Sequence, residues 1–190
     1  MNPSTGPCPS VTPVTRRPSR IRVVFLVGFM GAGKTTVGRV LAGRLGWRFE
    51  DLDDRIQARE DRTIEQIFCE AGETGFRIVE HETIRELISS LGQSPRIVAL
   101  GGGCFVQPET AALIEEMGAP VVFLDGSAEE LFRRCEREGR ERPLRRDAKQ
   151  FSELYERRRP SYLKATCRID TDGKDPAMVA AEVACSLGLG

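Results

Sequence analysis

The sequence predicts an α/β fold, a three-layer α/β/α sandwich built on a five-stranded parallel sheet. Two observations lead to this prediction. Apolar runs of strand length alternate along the chain with stretches of helical periodicity, and the first of these runs leads directly into a glycine-rich loop followed by a helix. Strands separated by helices normally pair in parallel, because each helix carries the chain back across the sheet.

The composition predicts a single soluble domain without an obvious macromolecular partner. The 190 residues include 28 basic and 28 acidic side chains, so no net field would attract nucleic acid or an anionic membrane. The six cysteines are far apart and form no C-x-x-C pair, which favours free thiols in a reducing compartment. No apolar run approaches the roughly 18 residues of a membrane span. We therefore expect a cytoplasmic monomer that binds neither nucleic acid nor membrane.

Residues 1–20 are rich in proline, serine and threonine and have no apolar periodicity. Such a segment buries too little apolar surface to offset the entropy lost on ordering. We interpret it as a disordered leader and residues 21–190 as one domain.

The first predicted strand, residues 21–27, precedes the motif G-x-x-x-x-G-K-[ST] at residues 28–35. Gly28, Gly31 and Gly33 allow positive φ and a close approach of backbone N–H groups to phosphate oxygens, at the N-terminus of the helix that follows. This strand-loop-helix arrangement is of the P-loop NTPase type. A glycine-rich turn without a ligand is the alternative, but all the fixed positions of the motif are present.

The loop predicts the contacts of a nucleoside triphosphate. Lys34 would reach the β- and γ-phosphates, and the Thr35 hydroxyl is a ligand suited to Mg²⁺. The candidate nucleotide-binding residues of the loop are Gly31, Ala32, Gly33, Lys34, Thr35 and Thr36.

A second strand is predicted at residues 47–50, and Asp51 and Asp53 follow at its carboxyl end. Ligands of open α/β sheets bind at the carboxyl ends of strands, and residues two apart on an extended chain share a face. Both carboxylates are therefore expected to face the phosphates. Asp54 is interpreted as the N-cap of the next helix.

Two helices are predicted next. Residues 63–66 have the form of a capping box, the first helix should end near Gly72, and the second should run from about residue 73 to 90. Arg77 and Glu80 are three residues apart on that second helix and can form an ion pair.

A buried strand at residues 96–100 leads into Gly101, Gly102 and Gly103. Three successive glycines remove side chains from the end of a strand and leave N–H groups free to face a ligand. A plain turn rarely needs three.

The rest of the chain continues the alternation. A strand is predicted at residues 119–125 and a helix from about residue 127, followed by an almost wholly charged segment at residues 136–149. Gly139 and Pro143 argue against one continuous helix there, and we interpret the segment as a mobile lid that brings arginines to the phosphates. Helical spacing then resumes and stops at Pro160, and a last strand and helix close the domain.

In combination these features resemble the shikimate kinase family. The resemblance covers nearly everything after residue 20 and rests on a series of motifs in order: Asp51-Leu52-Asp53, Gly72-Glu73 with Phe76-Arg77 and Glu80, Gly101-Gly102-Gly103, Arg142-Pro143-Leu144, and Arg158-Arg159-Pro160-Ser161-Tyr162. It implies transfer of the γ-phosphoryl group of ATP to the 3-hydroxyl of shikimate, with Mg²⁺.

The resemblance also implies residue roles. Asp51 would join Thr35 in holding Mg²⁺, while Asp53 would bind the shikimate hydroxyls and act as the base. The other implied shikimate ligands are Arg77, Gly101, Gly102, Gly103 and Arg158, with the arginines on the carboxylate. Lys34 and the lid residue Arg142 would act on the transferring phosphoryl group, and Arg134 would lie against adenine with the loop at residues 171–176.

Two other functions remain open on the sequence. One is another small-molecule kinase of this fold, such as gluconate or nucleoside-monophosphate kinase. The other is a nucleotide-binding switch protein, since Asp170-Thr171-Asp172-Gly173 spells D-x-x-G, although no N-K-x-D motif accompanies it.

Overall fold

The computed structural model describes residues 21–92, 94–138 and 147–189. Its centre is one parallel sheet of five strands in the order β2-β3-β1-β4-β5. The strands are β1 (Val23–Val27), β2 (Arg48–Asp51), β3 (Arg96–Ala99), β4 (Val121–Asp125) and β5 (Cys167–Asp170). Helices cover both sides of this sheet, so the predicted fold class is confirmed.

The three central strands form the core because they are apolar except at two ends, Arg96 at the start of β3 and Asp125 at the end of β4. Every residue of β1, β3 and β4 is buried, as expected for parallel strands covered on both faces. The edge strands β2 and β5 are only partly buried. Because β1 lies between β3 and β4, the loop that follows β1 sits at the middle of the sheet's carboxyl edge.

Seven helices connect and cover the strands in the described residues. They are α1 (Lys34–Leu45), α2 (Leu52–Glu60), α3 (Ile64–Ser89), α4 (Pro108–Glu116), α5 (Ala128–Glu138), α6 (Ala148–Tyr162) and α7 (Pro176–Ser186). A short 3₁₀ turn covers Cys104–Val106.

The predicted boundary near Gly72 is present as a break inside α3. Thr63 caps this helix and Gln66 completes the predicted capping box. At Gly72 the backbone takes φ 67° and ψ −174°, which separates two helical halves. Phe68 and Phe76 stack across the break with ring centroids 4.5 Å apart.

Two local predictions are wrong. The N-cap of α2 is Asp51, whose side chain accepts a hydrogen bond from the Asp53 N–H, and not Asp54. Helix α6 also continues through Pro160 to Tyr162. A proline inside a helix costs the hydrogen bond of its missing N–H, and only two residues of this helix follow it.

Several predictions fall outside the described residues. They concern the leader at residues 1–20, Arg142 and the central part of the lid, residues 139–146. The flanks of the lid are the end of α5 at Glu138 and the start of α6 at Ala148.

Among the helices of the described ranges, none combines the length and the apolar character needed to cross a lipid bilayer.

Candidate active site

The phosphate loop joins β1 to α1 with the glycine conformations that the motif requires. Gly28, Gly31 and Gly33 have φ of 147°, 79° and 79°. Added Cβ atoms at Gly28 and Gly31 would lie only 2.5 Å and 2.4 Å from the carbonyl oxygens of Leu124 and Leu131. The loop therefore packs directly against β4 and α5, and larger residues would displace it.

Lys34 is the first residue of α1 and lies over the start of this loop. Its Nζ donates to the carbonyls of Gly28 at 2.9 Å and Phe29 at 3.0 Å. The ammonium is thus held at the concave side of the loop, beside the helix N-terminus, where an anion is stabilised.

Thr35 and Asp51 meet beside the loop, which brings together β2 and α1. The Thr35 hydroxyl donates to Asp51 Oδ2 at 2.7 Å, and Asp51 Oδ1 accepts from the Asp53 N–H at 3.1 Å. A hydroxyl and a carboxylate oxygen in contact are the kind of hard oxygen ligands that Mg²⁺ takes. No group of three or more His, Cys, Asp or Glu residues with metal-site spacing occurs in the described ranges, so a metal here would also need oxygens from the nucleotide and water.

Asp53 lies in the first turn of α2 and reaches the glycine triplet. Its Oδ1 lies 2.8 Å from the point where a Cβ of Gly101 would be, and Glu80 Oε1 lies 2.9 Å from that point. Glycine at position 101 therefore makes room for two carboxylates, from α2 and α3. Asp53 lines both the cleft beside the loop and the cleft beside the triplet.

Glu80 is the most deeply buried acid of the site, with 1 % of its surface exposed. It accepts a hydrogen bond from Arg77 at 2.7 Å, as the spacing predicted, while its Oε1 has no hydrogen-bond partner in the described residues. Burial raises the pKa of Glu80, which the guanidinium of Arg77 opposes, and Asp53 raises the pKa further.

Arg77 is packed between an aromatic ring and the glycine triplet. Its guanidinium carbon lies 5.2 Å from the centroid of the Phe76 ring, and it also pairs with Glu73 at 3.1 Å. A Cβ on Gly103 would lie 2.4 Å from Arg77 Nη2. The third glycine is thus the space that the arginine side chain occupies.

Arg158 comes from α6 on the other side of the triplet. It is 9 % exposed, its Nη1 donates to the Gly102 carbonyl at 3.4 Å, and its guanidinium carbon lies 5.9 Å from the Phe29 ring centroid. Tyr162, one turn later, also donates to the Gly102 carbonyl. The predicted location of Arg158 in the cleft is correct, although the predicted cause, a helix that stops at Pro160, is not.

These side chains surround an open cleft of about 360 Å³ beside the glycine triplet, here called the acceptor cleft. Its polar wall carries Asp51, Asp53, Arg77, Glu80 and Arg158. Its apolar wall, which the sequence did not predict, consists of Met30, Ile64, Phe68 and Phe76.

A second cleft of about 300 Å³, here called the loop cleft, follows the phosphate loop. It shares Thr35, Asp51, Asp53 and Gly102 with the acceptor cleft. A third cleft of about 280 Å³ continues from Gly31, Gly33 and Thr36 to Arg134, Lys174 and Pro176. Ala32 lines this third cleft as well. The three clefts adjoin, so a ligand on the loop would lie between the other two.

Arg134 on α5 is held in the third cleft by the loop after β5. Its Nη1 donates to the Thr171 hydroxyl at 3.0 Å, its Nη2 donates to the Thr171 carbonyl at 2.7 Å, and its Nε donates to Glu130 at 2.9 Å. This arrangement gives a fixed planar group at the end of the third cleft.

Two residues of the site had weaker signals in the sequence. Glu80 was predicted to pair with Arg77 but not to line the cleft, because its burial depends on the approach of the triplet. Arg39 lines both the loop cleft and the acceptor cleft. Its helical position after the motif resembles that of an ordinary exposed arginine.

Comparison with known proteins identifies relatives over most of the chain. The family model described as shikimate kinase matches residues 30–187. A shikimate kinase of Persephonella marina is 39% identical over 86% of this chain and 97% of its own length. One of Caulobacter vibrioides is 44% identical over 87% of this chain and 81% of its own length.

Solved structures show the same likeness. Shikimate kinase from Acinetobacter baumannii in complex with shikimate superposes with a TM-score of 0.81 at 32% identity, covering 90% of this chain and 95% of that one. Shikimate kinase from Aquifex aeolicus has a TM-score of 0.76 at 34% identity, covering 87% and 96%.

Proposed function

The chain belongs to the shikimate kinase family, and from that premise we propose that it transfers the γ-phosphoryl group of ATP to the 3-hydroxyl of shikimate. The product would be shikimate 3-phosphate, in aromatic amino-acid biosynthesis. The observation that carries this proposal is the acceptor cleft, where Arg77 and Arg158 flank a glycine triplet directly beside a triphosphate loop.

The two arginines suit a carboxylate acceptor. A guanidinium is a planar, permanently charged fork that binds carboxylate in two-point geometry, and both groups are largely buried at this cleft. A neutral sugar would offer these guanidinium groups no anionic group of its own, and a nucleotide base would have to fit among charged groups. The apolar wall of Met30, Ile64, Phe68 and Phe76 would cover the face of a carbocyclic ring.

Asp53 is the group we assign to the acceptor hydroxyl. It lies where the acceptor cleft meets the loop cleft, so a hydroxyl bound there would face the end of a triphosphate. Its carboxylate would orient that hydroxyl and take its proton as the hydroxyl oxygen bonds to the γ-phosphorus. The bond from that phosphorus to the bridging oxygen breaks at the same time, and ADP leaves. Glu80 lies on the same side of Gly101 and lines the cleft, and its buried Oε1 has no hydrogen-bond partner in the described residues.

The loop and its lysine would stabilise the charge of the transferring group. Lys34 stands at the loop, and α1 begins there with Gly33 as its N-cap, so the partial positive charge of the helix N-terminus would face a bound phosphate. Phosphoryl transfer depends on such positioning and on fixed positive charge around the equatorial oxygens. Arg142, in the predicted lid, is proposed as a further cation for the phosphates.

Thr35 and Asp51 are the residues we propose to hold Mg²⁺. When bound, this ion would supply positive charge that neutralises part of the charge of the phosphates. The 2.7 Å contact between the Thr35 hydroxyl and Asp51 places two oxygen ligands together beside the loop. Asp51 is also fixed by its hydrogen bond from the Asp53 N–H, which couples the two carboxylates in position.

Arg134 and the loop at residues 171–176 are proposed to receive adenine. Pro176 and Val179 add apolar contact in the third cleft, opposite the guanidinium that Thr171 and Glu130 hold in place. We propose a cytoplasmic location, which is consistent with the free thiols of Cys69, Cys104, Cys135, Cys167 and Cys185.

The activity is tested by ADP release over a panel of acceptors that includes shikimate, gluconate, nucleoside monophosphates and a control without acceptor. We expect release to depend on shikimate and ATP. Turnover on gluconate in preference to shikimate would instead favour the related sugar-acid kinase. Slow turnover without an acceptor, with preference for GTP, would favour a switch protein.

The carboxylate contacts are tested with the methyl ester of shikimate, which keeps the hydroxyls but has no charge. Arg77→Ala and Arg158→Ala should each raise KM for shikimate by about tenfold or more, since one charge-assisted hydrogen bond contributes about 1.5–3 kcal/mol. The ester should be a poor substrate of the unaltered enzyme and lose much less in the variants. Arg62→Ala is the matched control, because Arg62 pairs with Glu60 and Glu70 outside the cleft. Equal use of acid and ester would refute the assignment.

A further inference from the structure

Helix α6 presents one face to the carboxyl edge of the sheet, and that face is fastened at two points. Tyr155, Arg158, Arg159 and Tyr162 have the spacing of a single helical face. Arg158 and Tyr162 contact the Gly102 carbonyl after β3. Tyr155 and Arg159 contact Asp125, the last residue of β4.

Asp125 is a buried carboxylate, 2 % exposed, with both oxygens fully used. Its Oδ1 accepts from the Tyr155 hydroxyl at 2.6 Å and from the Gly126 N–H at 2.9 Å. Its Oδ2 accepts from Arg159 at 3.1 Å and from Arg168 at 2.8 Å. A buried charge is tolerated only with such partners, so this cluster has a defined geometry.

Tyr155 links the two partners that α6 contributes. Its hydroxyl oxygen accepts from Arg159 Nε at 3.0 Å while its proton goes to Asp125. Burial and the hydrogen bond to Asp125 raise the pKa of Tyr155 to about 12, so the hydroxyl remains a donor at neutral pH.

The direction of α6 at Arg158 depends on side chains more than in an ordinary helix. Pro160 has no N–H, so this turn lacks one backbone hydrogen bond. Arg158 lies between Tyr155 and Pro160 and next to Arg159. The contacts of Tyr155 and Arg159 with Asp125 therefore fix where the guanidinium of Arg158 lies.

We propose that Asp125 and Tyr155 are positioning residues for the acceptor, holding α6 so that Arg158 meets the acceptor carboxylate. Neither residue lines the acceptor cleft, so they act through Arg158. The inference rests on the proposed function, since it needs Arg158 to bind that carboxylate.

On the nucleotide side, the chain after β4 makes contacts that do not involve the bonds between Asp125 and α6. The Thr171 N–H donates to the Asp125 carbonyl at 2.8 Å, and Thr171 in turn holds Arg134. The Ser127 N–H donates to Asp172 at 2.9 Å. Removing the side-chain bond to α6 should therefore affect shikimate and spare ATP.

Tyr155→Phe is the central test, because it removes the hydroxyl and keeps the ring that packs at 5.5 Å against Phe29. We expect KM for shikimate to rise by roughly threefold to tenfold, since a small misplacement of a binding group weakens the contact without abolishing it. KM for ATP should stay within about twofold. The preference for shikimate over its methyl ester should fall, because the ester does not use the Arg158 charge.

Two comparisons separate positioning from general stability. Arg168→Gln removes a partner of the same carboxylate from β5 and leaves α6 attached, so it should leave KM for shikimate within about twofold. In an Arg158→Ala background, Tyr155→Phe should add less than about a twofold further loss, because both changes act through one contact. Arg159→Gln, at a partly exposed position of the same cluster, provides a second variant if the aromatic one folds poorly.

The inference is overturned if Tyr155→Phe and Arg159→Gln lower activity on acid and ester equally, if Arg168→Gln has the same effect, or if the losses in the double variant multiply. A failure of the unaltered enzyme to phosphorylate shikimate is a different result. It would overturn the proposed function and this inference with it.

Discussion

In the acceptor cleft, charged side chains occupy the space that side chains at two of the three glycines would fill. Gly101 adjoins two carboxylates and Gly103 adjoins one guanidinium. Gly102 differs, because a Cβ there would meet only ordinary contacts at 3.6 Å or more. The first and third glycines therefore allow charged side chains to come close. The carbonyl of the middle one, Gly102, accepts hydrogen bonds from Arg158 and Tyr162.

Gly103→Ala should weaken shikimate binding and lower stability at the same time. The residue has φ −108°, which alanine adopts without strain, but its Cβ would overlap the end of the Arg77 side chain. The guanidinium of Arg77 would have to move, which takes it from the site and weakens its pair with the buried Glu80. We expect KM for shikimate to rise roughly tenfold and the melting temperature to fall as well. A large fall in melting temperature with unchanged KM would contradict this account.

Asp53 and Asp51 should differ in what their amide variants lose. Asp53→Asn should lower kcat by about 10²–10⁴-fold and leave binding of ATP with Mg²⁺ close to normal, as expected for a base. Asp51→Asn should weaken the binding of Mg²⁺, because it alters the carboxylate that contacts Thr35. More Mg²⁺ should then be needed for the half-maximal rate. Initial rates titrated with Mg²⁺ and equilibrium nucleotide binding measure the two effects. The reverse pattern would show that the two roles are exchanged.

Secondary-structure elements position the site through close contacts between helices and sheet. Helix α1 is the clearest example, because it carries Lys34 and Thr35 and lies against β1 and β2. A Cβ on Gly38 would be 2.4 Å from the Phe49 ring and 3.1 Å from Leu26. Gly43, in the same helix, has nothing within 4 Å of such a Cβ.

Substitution of these two glycines should have opposite effects on stability. Gly38→Ala should destabilise the protein by about 1–3 kcal/mol, because an extra methyl in a packed interface forces rearrangement. Gly43→Ala should stabilise it by about 0.4–1 kcal/mol, because alanine favours the helix and restricts the unfolded chain. Chemical denaturation of the two variants beside the unaltered protein checks both signs. Destabilisation by both would mean that α1 does not pack as closely as described.

At the scale of the whole domain, the order of the strands explains where the two substrates meet. Strand β1 and its loop lie between β3, which leads to the glycine triplet, and β4, which leads to Asp125. The acceptor cleft and the third cleft, which is proposed for adenine, consequently fall on opposite sides of one loop. Both lie at the carboxyl edge, where ligands of such sheets bind.

The domain is expected to be a monomer in solution. In the described residues the exposed large apolar side chains are Val40, Ile78, Leu163 and Met178, which belong to four different helices or helix ends. No single described helix therefore offers an apolar stripe of the kind that stable interfaces bury. Light scattering at micromolar concentration should give the mass of one chain. A mass of two chains that persists on dilution would contradict the expectation.

Much of this protein follows from the sequence alone. Apolar runs predicted the three central strands, because strands of a covered parallel sheet are buried along their length. The phosphate loop and the capping box at Thr63 were also predictable, because they depend on residues within a few positions of one another. The break at Gly72 belongs to the same class.

Other features were decided by tertiary structure, because they depend on segments far apart in the chain. Asp51 caps α2 since β2 ends one residue later than expected, whereas local spacing favoured Asp54. Pro160 remains inside α6 because Tyr162 is anchored on the glycine triplet. The burial of Glu80 and the contact of Asp125 with α6 require α3, β4 and α6 to meet at one edge of the sheet. No local pattern carries that information, since each contact joins residues brought together only by the order of the strands.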